Sequence, residues 1–131
     1  MDPRVRHFIL CEEVRIDPAN NLRTDVLGLL SNIRLRANQS FPFVRPVLCA
    51  LLVTTGFKGS GELYVRIVRE DPYRILFGLP PRQVRFVSEP NESTGLTFHV
   101  KDCSFPEAGV YWVECVFSGE VIARQPLNVI K

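Results

Sequence analysis

The order of apolar and polar positions is clearest between Phe105 and Ala123. From Val110 to Phe117 the residues are mostly β-branched or aromatic, which suits a pleated strand. The period of two then separates two faces. Tyr111, Val113, Cys115 and Phe117 share the face expected to be buried, and Trp112, Glu114 and Val116 share a mixed one. Pro106 holds Phe105 extended, and Gly109 permits the corner that starts the strand. Ser118-Gly119 is a two-residue connection of the kind that favours a primed turn, so the stretch reads as a β-hairpin. The return strand, from Glu120 to Val129, contains Pro126, and a residue that cannot donate to a ladder places that strand at an edge. Tyr111 fits either a tyrosine corner, whose hydroxyl ties back to nearby backbone, or a side chain that fills core volume.

The rest of the chain is a series of short strands between turn signals. Val5 to Arg15 reads as a strand, followed by turn chemistry at Asp17-Pro18-Ala19-Asn20-Asn21. Asp25 to Arg36 is ambiguous: Val26, Leu29, Leu30 and Ile33 have helical spacing behind a possible cap at Thr24. Against a helix, Gly28 sits inside, and Leu27, Leu29, Ser31, Ile33 and Leu35 alternate with Asn32, Arg34 and Arg36, so a strand is favoured. Val47 to Thr55 is apolar on both faces, as in a central strand covered on both sides. Gly56 to Gly61 reads as a glycine-rich turn. Glu62 to Arg69, Arg74 to Leu79, Arg82 to Val87 and the run around Leu96, Phe98 and Val100 complete the set. Strands at near-regular spacing with no confident helix predict an all-β, antiparallel, Greek-key-like sandwich of about seven to nine strands.

Composition adds limits. The 131 residues suit a single domain, residues 1–131, large enough to fold without a metal or a disulfide. With 46% hydrophobic and 23% charged residues the chain is globular, and a net charge of +2 from dispersed arginines gives no phosphate-tracking stripe, so no nucleic-acid partner is expected. No apolar run approaches the roughly 20 residues of a membrane helix, and the N-terminal stretch has no cleavage-site pattern, so the expectation is a cytoplasmic protein away from membranes. Cys11, Cys49, Cys103 and Cys115 are then buried reduced thiols.

The Gly56–Gly61 segment lacks the Gly-Lys-Ser/Thr that opens a helix in a phosphate loop. The cysteines and histidines form no close ligand pair; His99 and Cys103 share a strand face with Lys101 between them, so no metal or cofactor is expected. An immunoglobulin-type bond between Cys49 and Cys115 is not expected, since Tyr111 lies four residues before Cys115 instead of two. The aspartates lack the grouping of a C2-type calcium site. Glu12-Glu13 and Glu70-Asp71 are neighbours that point to opposite faces of a strand, and His7 reads as a packed or edge residue, so no catalytic residue is assigned and the chain is expected not to be an enzyme.

Asp25-Val26-Leu27-Gly28-Leu29-Leu30, Phe41-Pro42, Leu52-Val53 ahead of Gly61-Glu62, and Phe105-Pro106-Glu107-Ala108-Gly109-Val110-Tyr111 together resemble a family of small bacterial β-sandwich domains of unknown function. That family is immunoglobulin-like or C2-like in general architecture, and the resemblance covers most of the chain. The chain departs from it at Asp71-Pro72-Tyr73-Arg74, where an Asp-Pro-x-Gly type of turn is expected. The resemblance implies a fold and a bacterial source and carries over no site residue. The functional expectation is a non-enzymatic protein-interaction or structural module, with a protein partner and self-association through an edge strand as an option. An exposed Trp112 would be a hot-spot candidate; a Trp covering a second core layer is the blander reading. The alternative is a small-ligand or carbohydrate binder using loop aromatics such as Phe57 and Tyr73.

Overall fold

Alternating apolar side chains from both sides of one core draw the chain into two stacked sheets in the computed structural model, which describes residues 2–17, 19, 23–70 and 72–131. The strands in chain order are β1 (Arg4–Ile16), β2 (Thr24–Leu29), β3 (Asn32–Arg34), β4 (Phe43–Thr55), β5 (Lys58–Arg69), β6 (Arg74–Gly78), β7 (Arg82–Val87), β8 (Ser93–Phe105), β9 (Gly109–Phe117) and β10 (Glu120–Ile130). The first sheet has the order β2-β1-β4-β8. The second has the order β3-β10-β9-β5-β6, with β7 also paired to β5. All pairings are antiparallel except β3 with β10. The fold is therefore the expected all-β sandwich.

The core is built from the faces that alternation picks out. Phe8, Leu10, Leu48, Ala50, Leu52, Phe98 and Val100 come from the first sheet, and Leu63, Val65, Ile67, Tyr111, Val113, Cys115 and Phe117 from the second. Ser118 and Gly119 both have positive φ, as a primed turn requires between β9 and β10. Tyr111 is a corner residue as well as a core one. Its hydroxyl donates to the Glu107 carbonyl at 2.5 Å, and its ring meets Phe105 edge-on at 5.0 Å. This fixes the crossing from β8 in one sheet to β9 in the other.

Four expectations need correction. The stretch Asp25–Arg36 is two strands, because the chain leaves the first sheet after Leu29 and joins the second at Asn32. The same parity then points to opposite sides: Ile33 and Leu35 are core residues, whereas Leu29 is 73% exposed. Gly28, at φ +68°, takes a conformation other residues resist, and the Glu12 side chain lies where its Cβ would be. Secondly, β10 is, among the described residues, an open edge from Glu120 to Leu127, Pro126 included, but not at Asn128–Ile130, where β3 pairs with it. The proline has no N–H to extend that ladder further. Thirdly, the turn between β4 and β5 is only Gly56-Phe57, and Gly59 and Gly61 lie inside β5. Aromatic rings occupy the space a side chain would need there: Phe57 at Gly59 and Phe117 at Gly61, within 2.8 Å and 2.6 Å of the Cβ positions. Phe57, Phe86 and Phe117 pack edge to face over this flat patch, with centroids 5.5 to 6.0 Å apart. Fourthly, β4 is central but covered by a second layer only on its inner face; on its outer face Val47 is exposed. The loop at Asp17–Asn21 lies mostly outside the described residues, as does Asp71.

Replacing Gly61 by Ala should lower unfolding stability by about 1–3 kcal/mol, because the Ser118 hydroxyl and the ring of Phe117 both have to move. Replacing Gly78 by Ala, where no heavy atom lies within 4 Å of the added Cβ, should change it by less than about 0.5 kcal/mol. Urea unfolding of the two variants beside the parent chain measures both values.

Candidate functional site

Because β9 buries Tyr111, Val113, Cys115 and Phe117, its alternate residues must emerge on the outer side of the second sheet. The cross-strand register aligns them with β5 and β10 in three rows. Pro126, Trp112 and Val68 form the first, continued by Ile75 of β6. Arg124, Glu114 and Arg66 form the second. Val121, Val116 and Tyr64 form the third. A charged row thus runs between two apolar or aromatic ones.

The charged row alternates in sign. Glu114 is only 6% exposed. Arg66 Nε donates to Glu114 Oε1 at 2.9 Å, and Arg124 Nε lies 3.7 Å from Glu114 Oε2. Arg124 also donates to Glu70 Oε1 at 2.9 Å from a second nitrogen. Its guanidinium lies over the Trp112 indole, 3.9 Å from the ring centroid, in cation–π range. Partial burial opposes the charge on Arg66, but the Glu114 hydrogen bond and the nearby Tyr73 and Tyr64 outweigh it, and its pKa moves up. Side chains that are long and mobile on most surfaces are therefore held in place before anything binds. Around them Tyr73 is 55% and Ile75 53% exposed, and Val110 and Val121 are also open to solvent.

Trp112 is half-buried. It sits on the outer face, so it is neither a core residue nor fully free. Phe57, expected on a loop, is buried in the aromatic cluster and cannot act as a loop-tip platform; Tyr73 remains exposed. Cys103 and Cys115 are core residues whose thiols are pushed by burial up to about 11 and about 12, too high for a nucleophile at neutral pH. Cys49 lies on the outer face of the first sheet, facing away from Cys115, and both are free thiols. His7 is exposed on β1 beyond the reach of β2, and Glu13 pairs with Arg15 at 3.0 Å. Among the described residues no three His, Cys, Asp or Glu side chains converge on a point that could hold a metal ion. A hollow of about 480 Å³ beside β8 is lined by Thr24, Leu51, Val53, Asn91, Glu92, Ser93 and Gly95, with no aromatic ring for a sugar to stack on.

The arginines of the site were missed by reading the chain as a line. Arg66 and Glu114 are 48 residues apart, and only the β5–β9 register makes them neighbours. The legible signal was parity: each lies on the polar side of its own strand.

A model described as a family of unknown function, DUF6941, matches residues 6–130. No curated protein matches the chain. Solved structures with a similar arrangement include a mutant β-glucosidase from Listeria innocua in complex with laminaribiose, at TM-score 0.50 and 12% identity, covering 95% of this chain and 16% of that one. A β-D-glucoside glucohydrolase from Trichoderma reesei has TM-score 0.46 and 10% identity, covering 98% of this chain and 19% of that one. The chain thus spans less than a fifth of the length of either enzyme, and at 12% identity the likeness to the Listeria innocua enzyme concerns the fold alone. No helix among the described residues is long and apolar enough to cross a membrane.

Replacing Glu114 by Ala leaves Arg66 and Arg124 facing each other without their shared carboxylate. The loss should be about 1–3 kcal/mol, below the roughly 3–5 typical of fully buried pairs because both guanidiniums keep contact with water. Chemical denaturation checks it, and Glu114→Gln should recover part of the loss through its remaining amide oxygen.

Proposed function

The chain belongs to DUF6941, a family of unknown function, and we propose that it works without catalysis, as a protein-docking module that uses the outer face of its second sheet. The observation that carries this reading is the Trp112–Arg124 stack, braced by Glu114 and Glu70. Trp, Tyr and Arg are the residue types in which interface energy concentrates, and ordering them beforehand lowers the entropy lost on binding. The exposed Tyr73, Ile75, Val110 and Val121 surround the stack as an apolar rim able to exclude water. The partner is a protein with an apolar centre and neutral hydrogen-bond acceptors, such as backbone carbonyls, placed to reach the remaining N–H groups of Arg66 and Arg124. Neither a nucleic acid nor a membrane fits, because each guanidinium is already balanced by a carboxylate within the face. The edge of β8, unpaired along its outer side by any strand among the described residues, offers a route to self-association.

The site of action is the cytoplasm of a bacterial cell. Four free, buried cysteines support a reducing compartment, and the family-like turn and core motifs support the source. A small-ligand or carbohydrate role has less support, since Phe57 is buried.

The test is a quantitative pull-down from host extract, read as the stoichiometry of what co-purifies with the parent chain and with variants. Trp112→Ala and Arg124→Ala should each reduce capture of a stoichiometric protein by at least about tenfold, while Val47→Ser on the other sheet should leave it unchanged. Equal capture by all four proteins would remove this face from the account.

A further inference from the structure

The outer face of the first sheet carries a pair of thiols that the docking reading does not use. Cys11 of β1 and Cys49 of β4 are register partners, directly opposite each other on adjacent antiparallel strands. Both are free, and both stand outside the main core cluster, on the outer side where Ile9 faces Leu51 in the next non-adjacent pair. Directly opposed residues in an antiparallel ladder have Cα atoms about 4.5 or about 5.5 Å apart, depending on the pair type. Both values fall inside the roughly 4.4–6.8 Å that a disulfide accepts. Cys103 and Cys115, by contrast, belong to different sheets and are not register partners of any cysteine.

We propose that Cys11 and Cys49 are a modification site: a cross-strand dithiol that a low-molecular-weight disulfide, such as oxidised glutathione, converts to a disulfide. One thiol loses its proton and attacks the glutathione disulfide, expelling one glutathione thiolate and leaving a mixed disulfide on the protein. The second cysteine, once deprotonated, attacks the protein sulfur of that mixed bond and expels the other glutathione. Two protein thiols are oxidised, one oxidised glutathione is reduced to two thiols, and the two protons end on the leaving groups.

Three features set the rate and the outcome. Both sulfurs are almost wholly shielded, and burial pushes both thiols up, so the first attack is slow in the closed state. The shield on one side is thin: β2 is a six-residue edge strand paired, among the described residues, only to β1, and it ends at Leu29, opposite Cys11. Fraying of that strand uncovers Cys11 without opening the core. Once the mixed disulfide forms, the partner thiol is already at its side, so ring closure outruns a second external attack. The product joins the N-terminal strand to the central strand of its sheet and restrains the unfolded chain across the intervening segment.

The experiment incubates the folded chain with oxidised glutathione, unfolds it in urea with N-ethylmaleimide present to block every free thiol, digests with trypsin without reduction and identifies the peptides by mass. Residues 7–15 and 37–58 should appear linked, about 2 Da below the sum of the separate peptides. The peptide carrying Cys103 and Cys115, residues 102–124, should appear only as the maleimide adduct. The oxidised form should show a higher Tm, lost in Cys49→Ser. To separate slow access from wrong geometry, the chain is also refolded from urea in a mixture of reduced and oxidised glutathione, where the same pair should dominate. Stable glutathione adducts on Cys11 or Cys49 without ring closure, or linkage of either to residues 102–124 after refolding, would overturn the proposal. So would free thiols at both positions in both arms.

Discussion

The constraint on which the rest depends is the pleat of β9. Its inner residues Tyr111, Val113, Cys115 and Phe117 are fully or almost fully buried, and β9 is paired on both sides, to β5 and β10. A slip of one residue would put Trp112 and Glu114 into the core and four core residues into water. Burial at Tyr111 and Phe117 therefore dictates that Trp112, Glu114 and Val116 all point to the opposite side, where neighbours cover Glu114 and Val116. The outer face is a consequence of the core, and no separate device is needed to position it. The Tyr111 hydroxyl on the Glu107 carbonyl sets where the strand begins, which fixes the register from its first turn.

Much of this was legible along the chain and some was not. The β9–β10 hairpin could be read because everything it needs is local: alternation from Val110 to Phe117 and a two-residue turn at Ser118-Gly119. The split of residues 25–36 could not be read, because the crossing from one sheet to the other is decided by Leu30 donating to the Leu10 carbonyl and by Asn128 donating to the Ser31 carbonyl. Local alternation carries no trace of either partner. Gly59 and Gly61 misled for a related reason. Glycine marks a turn when φ is the constraint, but here the constraint is the rings of Phe57 and Phe117, one of them far along the sequence. For the site, Trp112 stood out by composition as the single tryptophan. Arg66, Arg124 and Glu114 became a row only through the register of three strands.

The two outer faces divide the labour differently. On the second sheet a charged row is clamped between apolar rows, and its arginines are held by Glu114, Glu70 and the Trp112 ring. That surface is ordered and amphipathic, with Val68, Val116 and Glu114 covered by their neighbours and Tyr73, Ile75, Val110 and Val121 open to solvent. On the first sheet the centre is thiol and aliphatic, with Cys11, Cys49 and Leu51 shielded and Leu29 and Val47 exposed around them. Thr97, His99 and Lys101 of β8 share that face, but it carries no cation stacked on an aromatic ring among the described residues. Directional hydrogen bonds and stacked cations give specificity, and apolar area by itself does not.

The most direct measurement places a photo-crosslinking phenylalanine analogue at Ile75, in the Trp112 row, and separately at Val47 on the opposite sheet, and irradiates living host cells. A docking surface on the second sheet predicts a discrete higher-mass adduct from position 75 that is absent from position 47. An adduct from position 47 alone, or none from either, would contradict it.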